Sequence, residues 1–424
     1  MPGVIVLADS DSRWKWGVAT ARQLLPNARM EGIICEGLNN PSERQLAEVT
    51  PRPDSLRVLP LTQALEAVTR EAPSVVILAL PGGSCQAVLQ WAAARWPTPW
   101  LRPVLITGYV GVVYENMLDG LLNRAGSDIL LANSPADVSR FTAALVGVGA
   151  DQACVTLTKL SFLSGQRYRR DPERPYTVTF APQPGVPRTL GEREYIVRRL
   201  RQYATTHPEH HVLVKLRGTR GEALTHTEHY PFERLIAKLG DQQPPNLEVV
   251  LGSMSETLSV TDLLVTVSST AAVEAMHRGI PTAVLTDFGI RESLGNHFFT
   301  GSGCYASFDD LDELVAPLVD PVWAAGHGVG PSCSAAPARE RLAQLLALDA
   351  LPPVAPFYTL ATASEHVRGV LARYDLDHLF PTENEAGGAH VGQILGHVVR
   401  MVVRRAYRYG VQRVAPGLRK VAGL

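Results

Sequence analysis

A cluster of hydroxyl residues stands where a predicted strand gives way to a predicted helix. Ser268, Ser269 and Thr270 follow the apolar run 263–267 and open a segment of helical periodicity. The free N–H groups of the helix start, the helix dipole and two or three hydroxyls would point at one spot, which suits a phosphate. Glu274, one turn further on, can accept hydrogen bonds from ribose hydroxyls. The simpler interpretation is a helix cap with a solvated Glu274.

The stretch from Thr266 to Pro281 resembles the nucleotide-binding segment of GT-B glycosyltransferases. In both, a strand, a small polar cluster, a Glu and a Gly-x-Pro follow in this order. The Ser-Ser pair is similar to that of enzymes that use CMP-activated acidic sugars, the bacterial polysialyltransferases and capsular Kdo transferases. The chain also resembles an actinobacterial family of uncharacterised glycosyltransferases. The motif-level resemblance covers residues 176–287, and the first half of the chain matches only in layout.

One departure from the sialyl and Kdo pattern lies after the second predicted strand of this half. Those enzymes carry a His-Pro there, where this chain has Lys215 and Arg217, while His207-Pro208 precedes the strand. Arg217, with Lys215 beside it, could supply positive charge to the phosphate, because a guanidinium clamps a phosphate with two hydrogen bonds. A surface Arg in a turn is the alternative. By resemblance, Gln183 lies near the base site, with a plain loop as the alternative.

Three carboxylates are candidates for the base that removes the acceptor proton. Asp9 follows the first predicted strand, in a segment, residues 9–17, that we expect to be a loop at the cleft edge. Its Asp-Ser-Asp has the form of the metal-binding D-x-D of GT-A enzymes, but that motif belongs after several strands. Asp119 loosely resembles the acidic-acidic-Gly element of polysialyltransferases, with Leu118 in place of the first acidic residue. Glu115 is the alternative carboxylate there.

Two tryptophans of the segment 9–17, Trp14 and Trp16, have two interpretations. They could stack on a sugar ring, or they could be buried, which is the commoner fate of this side chain.

Short apolar runs alternate with segments of helical periodicity along most of the chain, which indicates two α/β domains. In the first half the predicted strands are 4–8, 32–35, 56–59, 74–80, 104–107 and 129–132, and 155–160 is either a last strand or the start of the crossing. In the second half they are 176–181, 211–216, 247–251, 263–267 and 282–286. Such strands form parallel sheets covered on both faces. The predicted fold is therefore α/β of the GT-B type, two Rossmann-like domains facing a central cleft, with C-terminal helices.

The predicted domains follow from this alternation. They are an acceptor domain, 1–165, a nucleotide-sugar domain, 175–320, crossing helices, 337–375, and a basic amphipathic tail, 389–424. The boundary falls in the polar and basic stretch 164–175, which has linker composition. The stretch 321–336 is rich in Gly, Pro and Ala, so we expect a loop there. Open parallel sheets bind ligands at the carboxyl ends of their strands, which puts the site in the cleft.

The tail has no acidic residue and places Arg400, Arg404 and Arg408 on one side of a predicted helix. This helix is too short and too charged to span a bilayer, but it can lie on the anionic cytoplasmic leaflet. The alternative is a helix that crosses back onto the first domain.

Composition argues against several classes of partner. The net charge of −1 and the 19% of charged residues leave no electrostatic footprint for nucleic acid. The 5 cysteines are far apart and form no C-x-x-C pair, which argues against a disulfide framework and a zinc site. His207 and His211 have metal-pair spacing, but Pro208 denies them a shared helix face, so we expect no metal. With no recognisable leader and no apolar window of membrane length, the expected location is the cytoplasm.

The predicted function is transfer of a sugar, with a CMP-activated acidic sugar as one candidate, from a nucleotide donor to a cell-envelope glycan or its lipid-linked precursor. We expect no cofactor, and no metal at the phosphate, because the helix dipole and Arg217 can neutralise the leaving group. The alternatives are a nucleotide-sugar-binding scaffold without turnover and a nucleotide-sugar epimerase of the same architecture.

Overall fold

Two parallel sheets organise the chain in its computed structural model, which describes residues 3–37, 40–49, 51–113, 117–216, 229–330 and 333–380. The strands of the first sheet are β1 Gly3–Ala8, β2 Arg29–Cys35, β3 Ser55–Leu59, β4 Val75–Ala79, β5 Val104–Gly108, β6 Ile129–Ala132 and β7 Val155–Leu157. Those of the second are β8 Thr177–Phe180, β9 His211–Lys215, β10 Leu247–Val250, β11 Leu263–Thr266, β12 Thr282–Leu285 and β13 Tyr305–Ala306.

Helices connect most of the strands. Those of the first half are α1 Asp11–Leu24, α2 Glu43–Ala47, α3 Leu61–Glu71, α4 Gly82–Arg95, α5 Leu118–Leu122 and α6 Pro135–Gly147. Those of the second half are α7 Leu190–Thr206, α8 Phe232–Ala237, α9 Met254–Val260, α10 Ala271–Arg278, α11 Phe308–Asp312 and α12 Pro321–Gly326. They are followed by α13 Ala336–Leu346 and α14 Ser364–Arg373.

Both sheets have the strand order of a dinucleotide-binding fold. The first sheet has 7 strands in the order β3-β2-β1-β4-β5-β6-β7, and the second has 6 in the order β10-β9-β8-β11-β12-β13. The order reverses between β1 and β4 in the first sheet and between β8 and β11 in the second. Open α/β sheets bind ligands at such a switch point, outside the carboxyl ends of the strands. The predicted α/β fold with two Rossmann-like sheets is confirmed.

The strands form where continuous apolar runs can be buried on both faces. Every residue of β4 and of β5 is buried, and the side chains of β8, β11 and β12 are buried as well. A strand covered on both sides needs no polar alternation, which is why these runs read as strands in the sequence. The chain passes from the first sheet to the second between β7 and β8, across the stretch that has linker composition.

Two predicted loops contain helices. Residues 9–17 are not a loop, because α1 begins at Asp11 behind Ser10 and buries Trp14 and Trp16 against the sheet. In the stretch 321–336, α12 begins at a proline, and the Asp320 carboxylate accepts hydrogen bonds from the amides of Val322 and Trp323. A carboxylate cap and an N-terminal proline favour a helix start even in a glycine-rich context.

The segment after the second sheet returns to the first one. Helix α13 contacts α1 and strands β5, β6 and β7, while α14 contacts α4. Arg102, whose side chain is buried, forms two hydrogen bonds of 2.7 and 2.8 Å with the Asp128 carboxylate and also donates to the carbonyl of Pro352. This ion pair connects the starts of β5 and β6 to the segment that follows α13.

Residues up to Asp375 form one compact unit, and a short 3₁₀ helix, Asp377–Leu379, belongs to a second one. The predicted tail, 389–424, lies outside the described residues. In the part of the chain that the structure describes, no helix combines the length and the apolar character that crossing a bilayer requires.

Candidate functional site

Two predicted site residues meet at the switch point of the second sheet. Gln183 follows β8 and Ser268 follows β11, and these neighbouring strands are where the strand order reverses. The Ser268 hydroxyl lies 2.6 Å from Oε1 of Gln183, although the two residues are far apart in sequence. Gln183, which the sequence assigned to the nucleotide base, and Ser268, which it assigned to the phosphate, therefore contact each other.

The Ser268 hydroxyl also has a second acceptor, the carbonyl oxygen of Leu294. A hydroxyl carries one proton, so it cannot donate to both oxygens. Both contacts are satisfied if Gln183 turns its amide so that Nε2 donates to Ser268 while Ser268 donates to Leu294. Oε1 of Gln183 would then face away from Ser268. Ser268 is buried, and its hydroxyl connects Gln183 to the loop that carries Leu294.

The next two hydroxyls have different surroundings. Ser269 is buried, and its Oγ accepts a hydrogen bond of 3.3 Å from the amide of Ala271, in the manner of a cap. Thr270 is half-buried at the start of α10, with no hydrogen bond from its side chain to the helix. Thr270 is thus the one of the three hydroxyl residues with an accessible side chain.

The remaining predicted donor-site residues lie around this helix start. Glu274 is half-buried on α10. Burial lowers the pKa of Arg278, and the negative charge of Glu274 offsets part of this shift. Lys215 ends β9 with a buried side chain whose Nζ donates a hydrogen bond of 2.6 Å to the carbonyl of Leu216. Arg217 lies outside the described residues.

A loop of the first sheet reaches the start of α10. It follows β5, and a Cβ atom added at Gly111 would lie 3.0 Å from Oγ1 of Thr270. Val112 packs against an apolar cluster that includes Ala272 and Val273 of α10. The two halves of the chain therefore meet at Thr270, and the absence of a side chain at Gly111 permits the close approach.

Asn133 fixes this loop. It is buried after β6, and its side-chain amide donates to the carbonyls of Tyr109 and Gly111 at 3.0 and 3.2 Å. Burial raises the pKa of Tyr109 to about 12, so the phenol stays protonated. Its ring lies under the Arg124 guanidinium, 4.5 Å from the ring centroid.

Two of the candidate bases, Asp9 and Asp119, lie at the same edge of the first sheet but on different elements. Asp119 is exposed in the first turn of α5, the helix that the Gly111 loop leads into. Asp9 follows β1 and forms an ion pair of 2.9 Å with Arg13. β4 separates β1 from β5, so Asp9 lies roughly 10 Å from the β5 loop across the sheet. Glu115 lies outside the described residues.

The structure decides between the two interpretations of the tryptophans. Trp14 is 0% exposed and Trp16 is 3% exposed, so neither ring can stack on a sugar in this structure. Trp14 lies against Gly32 of β2, and Trp16 lies against Gly108 at the end of β5. Both rings are packed beneath the carboxyl edge of the first sheet, against β2 and β5.

Two residues that position the site are missing from the sequence-based candidates. Asn133 stands before Ser134, which caps α6, and its position directly after a strand was the available signal. Arg193 is 1% exposed and donates to the carbonyls of Gln183, Pro184, Pro187 and Tyr230, with its guanidinium over the ring of Phe232. It shapes the loop that carries Gln183, and nothing in a lone helical Arg indicates this.

Solved structures of similar fold exist. S. aureus MnaA in a co-structure with UDP is 12% identical, with a TM-score of 0.52 over 81% of this chain and 95% of that one. UDP-GlcNAc 2-epimerase from Neisseria meningitidis, bound to UDP-GlcNAc, is 10% identical, with a TM-score of 0.51 over 81% of this chain and 100% of that one. The kitacinnamycin glycotransferase is 13% identical, with a TM-score of 0.45 over 90% and 99%. At these identities the likeness to the first two, whose TM-scores exceed 0.5, concerns the fold alone.

Sequence comparison gives the family. No curated protein matches the chain. Residues 4–345 match the model of a family described as "Putative glycosyltransferase (DUF6716)". This match spans both sheets and reaches into α13. The chain therefore belongs to this glycosyltransferase family.

Proposed function

We propose that this protein transfers a sugar from a nucleotide donor to an acceptor hydroxyl. The observation that carries the proposal is the Gln183–Ser268 contact at the switch point, directly before Thr270 and the start of α10. It supports a binding site in which an amide reads the base while the adjacent helix start holds the phosphate. Family membership supports glycosyl transfer as the reaction.

In the proposed complex, Thr270 and the start of α10 bind the phosphate that leaves with the nucleotide. Glu274 accepts hydrogen bonds from the ribose, and Arg217 and Lys215 add positive charge. As the glycosidic bond to the phosphate breaks, negative charge grows on the phosphate oxygen, and the helix start stabilises it. Charge neutralisation by these groups needs no divalent cation, so adding Mg²⁺ or Mn²⁺ should leave the transfer rate unchanged.

The first sheet supplies the acceptor side of the proposed reaction. A carboxylate takes the proton of the acceptor hydroxyl while its oxygen forms the new bond to the sugar. We assign this role to Asp119, with Glu115 and Asp9 as alternatives. The close approach of Gly111 to Thr270 and the packing of Val112 on a cluster that includes α10 residues support this arrangement, because they bring the segment leading to Asp119 close to the proposed phosphate site.

The identity of the nucleotide is open to a direct test. The Ser-Ser pair favours a CMP-linked acidic sugar, whereas two proteins of similar fold are described with UDP or a UDP-sugar. We propose CMP as the donor nucleotide, with UDP as its competitor. In a thermal-shift panel of CMP, UDP, GDP and TDP, the cognate nucleotide at about 100 times its Kd should add about 2.7 kcal/mol of stability. Equal shifts for all four, or none, would contradict a specific nucleotide site.

Turnover separates the proposed transfer from its two alternatives. A transferase releases nucleotide at a rate that depends on acceptor, an epimerase interconverts the sugar nucleotide without acceptor, and a scaffold binds without turnover. Measuring the released nucleotide and the epimerised sugar nucleotide, each with and without an acceptor glycan, distinguishes the transferase, the epimerase and the scaffold.

We further propose that the acceptor is a cell-envelope glycan or its lipid-linked precursor, met at the cytoplasmic face of the membrane. The support is the basic tail, 389–424, since each basic residue contributes about 1 kcal/mol at an anionic surface. Changing Arg400, Arg404, Arg405 and Arg408 to Gln should abolish co-sedimentation with anionic vesicles at low salt. The melting temperature should not change, and a loss of several degrees would identify the tail as a structural brace.

A further inference from the structure

A second cluster of side chains capable of chemistry lies in the turn between α7 and β9. His207, Glu209 and His210 bring one ligand atom each to within 4.8 Å of one another. Sequence reasoning considered His207 with His211 and dismissed the pair. The structure instead brings His210 to His207, with their rings 5.0 Å apart and inclined by 13°.

Two distances in this cluster are close to those between the ligand atoms of a tetrahedral metal site. Oε1 of Glu209 lies 3.4 Å from Nε2 of His210 and 3.8 Å from Nδ1 of His207. A tetrahedral ion with bonds of about 2.0–2.1 Å keeps its ligand atoms roughly 3.3–3.4 Å apart. The ligand atoms all lie within 4.8 Å of one another, so binding an ion requires the side chains to rotate and draw the two imidazole nitrogens closer together.

The turn is fixed independently of any ion. The side-chain amide of Asn246 donates to the carbonyls of Ala204, His207 and His210 at 2.8 to 3.0 Å. Nδ1 of His210 lies 2.9 Å from the Tyr203 hydroxyl. An ion on Nε2 of His210 requires the proton on Nδ1, where the Tyr203 oxygen can accept it, and such an outer partner is what orients a ligating imidazole.

His207 gives an independent reason to expect a ligand. Its Nε2 is closed to solvent and has no hydrogen-bond partner within the described residues. Its Nδ1 faces Glu209 at 3.8 Å, which is longer than a hydrogen bond. An imidazole that is mostly buried usually has a partner at a ring nitrogen. A cation bound to Nδ1 would supply one there, while the ring proton would stand on Nε2.

We propose that His207, Glu209 and His210 bind one Zn²⁺-type transition-metal ion, with water in the fourth position. Two imidazoles and a carboxylate favour zinc and its late first-row neighbours over Mg²⁺ or Ca²⁺. The turn precedes β9, whereas Ser268 follows β11, so the two sites lie at opposite edges of a parallel sheet. The ion therefore links α7 to β9 and takes no part in sugar transfer.

Titration of the metal-stripped full-length chain tests this assignment. With Zn²⁺ in calorimetry we expect one ion per chain and a higher melting temperature, and with Co²⁺ the visible absorption of a tetrahedral complex. Mg²⁺ should produce neither effect. Glu209→Gln and His207→Asn should each weaken Zn²⁺ binding at least tenfold and remove the Co²⁺ signal, while circular dichroism shows that the variants are folded.

His211→Ala is the matched control, because His211 is exposed, directly adjacent and outside the cluster. It should leave both the Zn²⁺ affinity and the Co²⁺ spectrum unchanged. The proposal is overturned if the parent binds no stoichiometric Zn²⁺, or if His211→Ala weakens binding as much as the two ligand variants do. The readouts do not involve sugar transfer, so they are independent of the proposed function.

Discussion

We expect Asp119→Asn to lower the transfer rate by roughly 10² to 10⁴-fold and to leave donor binding unchanged, because a lost general base typically costs this much. The carboxylate is exposed in the first turn of α5, so its replacement by an amide of the same shape should not disturb the fold. Initial rates with saturating acceptor measure the loss, and a thermal shift with nucleotide measures donor binding.

Two further carboxylates and one control complete this experiment. Asp9→Asn and Glu115→Gln test the alternative bases, and Asp9→Asn also breaks the ion pair with Arg13, so its melting temperature must be measured. Asp241→Asn is the control, since Asp241 is an exposed residue in another short helical turn, the 3₁₀ helix Gly240–Gln242. If Asp119, Asp9 and Glu115 can all be replaced at full turnover, the base lies elsewhere, with Asp11 and Glu36 as the next candidates.

The second large effect is expected at the start of α10. Replacing Ser269 and Thr270 together by Ala should lower nucleotide affinity at least tenfold, because a hydroxyl that binds a charged acceptor contributes roughly 1.5–3 kcal/mol. Most of the loss should come from Thr270, whose side chain is accessible, whereas Ser269 is buried and caps the helix. Thr270→Val, which removes the hydroxyl and keeps the shape, tests this division by calorimetry.

The control for this pair is a helix cap without a site. Ser253 precedes α9, and its hydroxyl accepts a hydrogen bond of 3.2 Å from the amide of Ser255. Ser253→Ala should cost about 0.5–2 kcal/mol of stability and leave nucleotide affinity unchanged. Should the double variant at residues 269 and 270 bind every nucleotide as tightly as the parent, the hydroxyl cluster is only a cap and the proposed site is misplaced.

The sheets were predictable from sequence because their central strands are buried on both faces. Runs such as 129–132 and 263–267 coincide with β6 and β11 almost residue for residue. The short edge strand β13, Tyr305–Ala306, escaped prediction, since two residues carry no period. Helix α1 escaped because its polar start resembles a loop, and only the packing of Trp14 and Trp16 under the sheet decides the matter.

The candidate site was predictable only where its residues are local in sequence. The hydroxyl cluster and its helix occupy one short segment, so their pattern could be recognised. The Gln183–Ser268 contact depends on β8 lying beside β11, and the Gly111–Thr270 contact depends on how two sheets meet. Asn133 acts through carbonyls of a distant loop, and backbone carbonyls leave no trace in sequence.

The return of the chain to its first sheet sets an order of events during synthesis. Leu342, Leu345 and Leu351 belong to the same apolar cluster as Val4 and Ile77 of the first sheet. At about 5–20 residues per second, the ribosome needs on the order of ten to forty seconds to pass from the end of that sheet to these residues. All strands of the second sheet have been synthesised by then, while the first sheet still lacks helix α13, which packs against it. Folding is therefore expected to finish in the half that was made first, and a nascent chain stalled before Leu342 should need a chaperone to stay in solution.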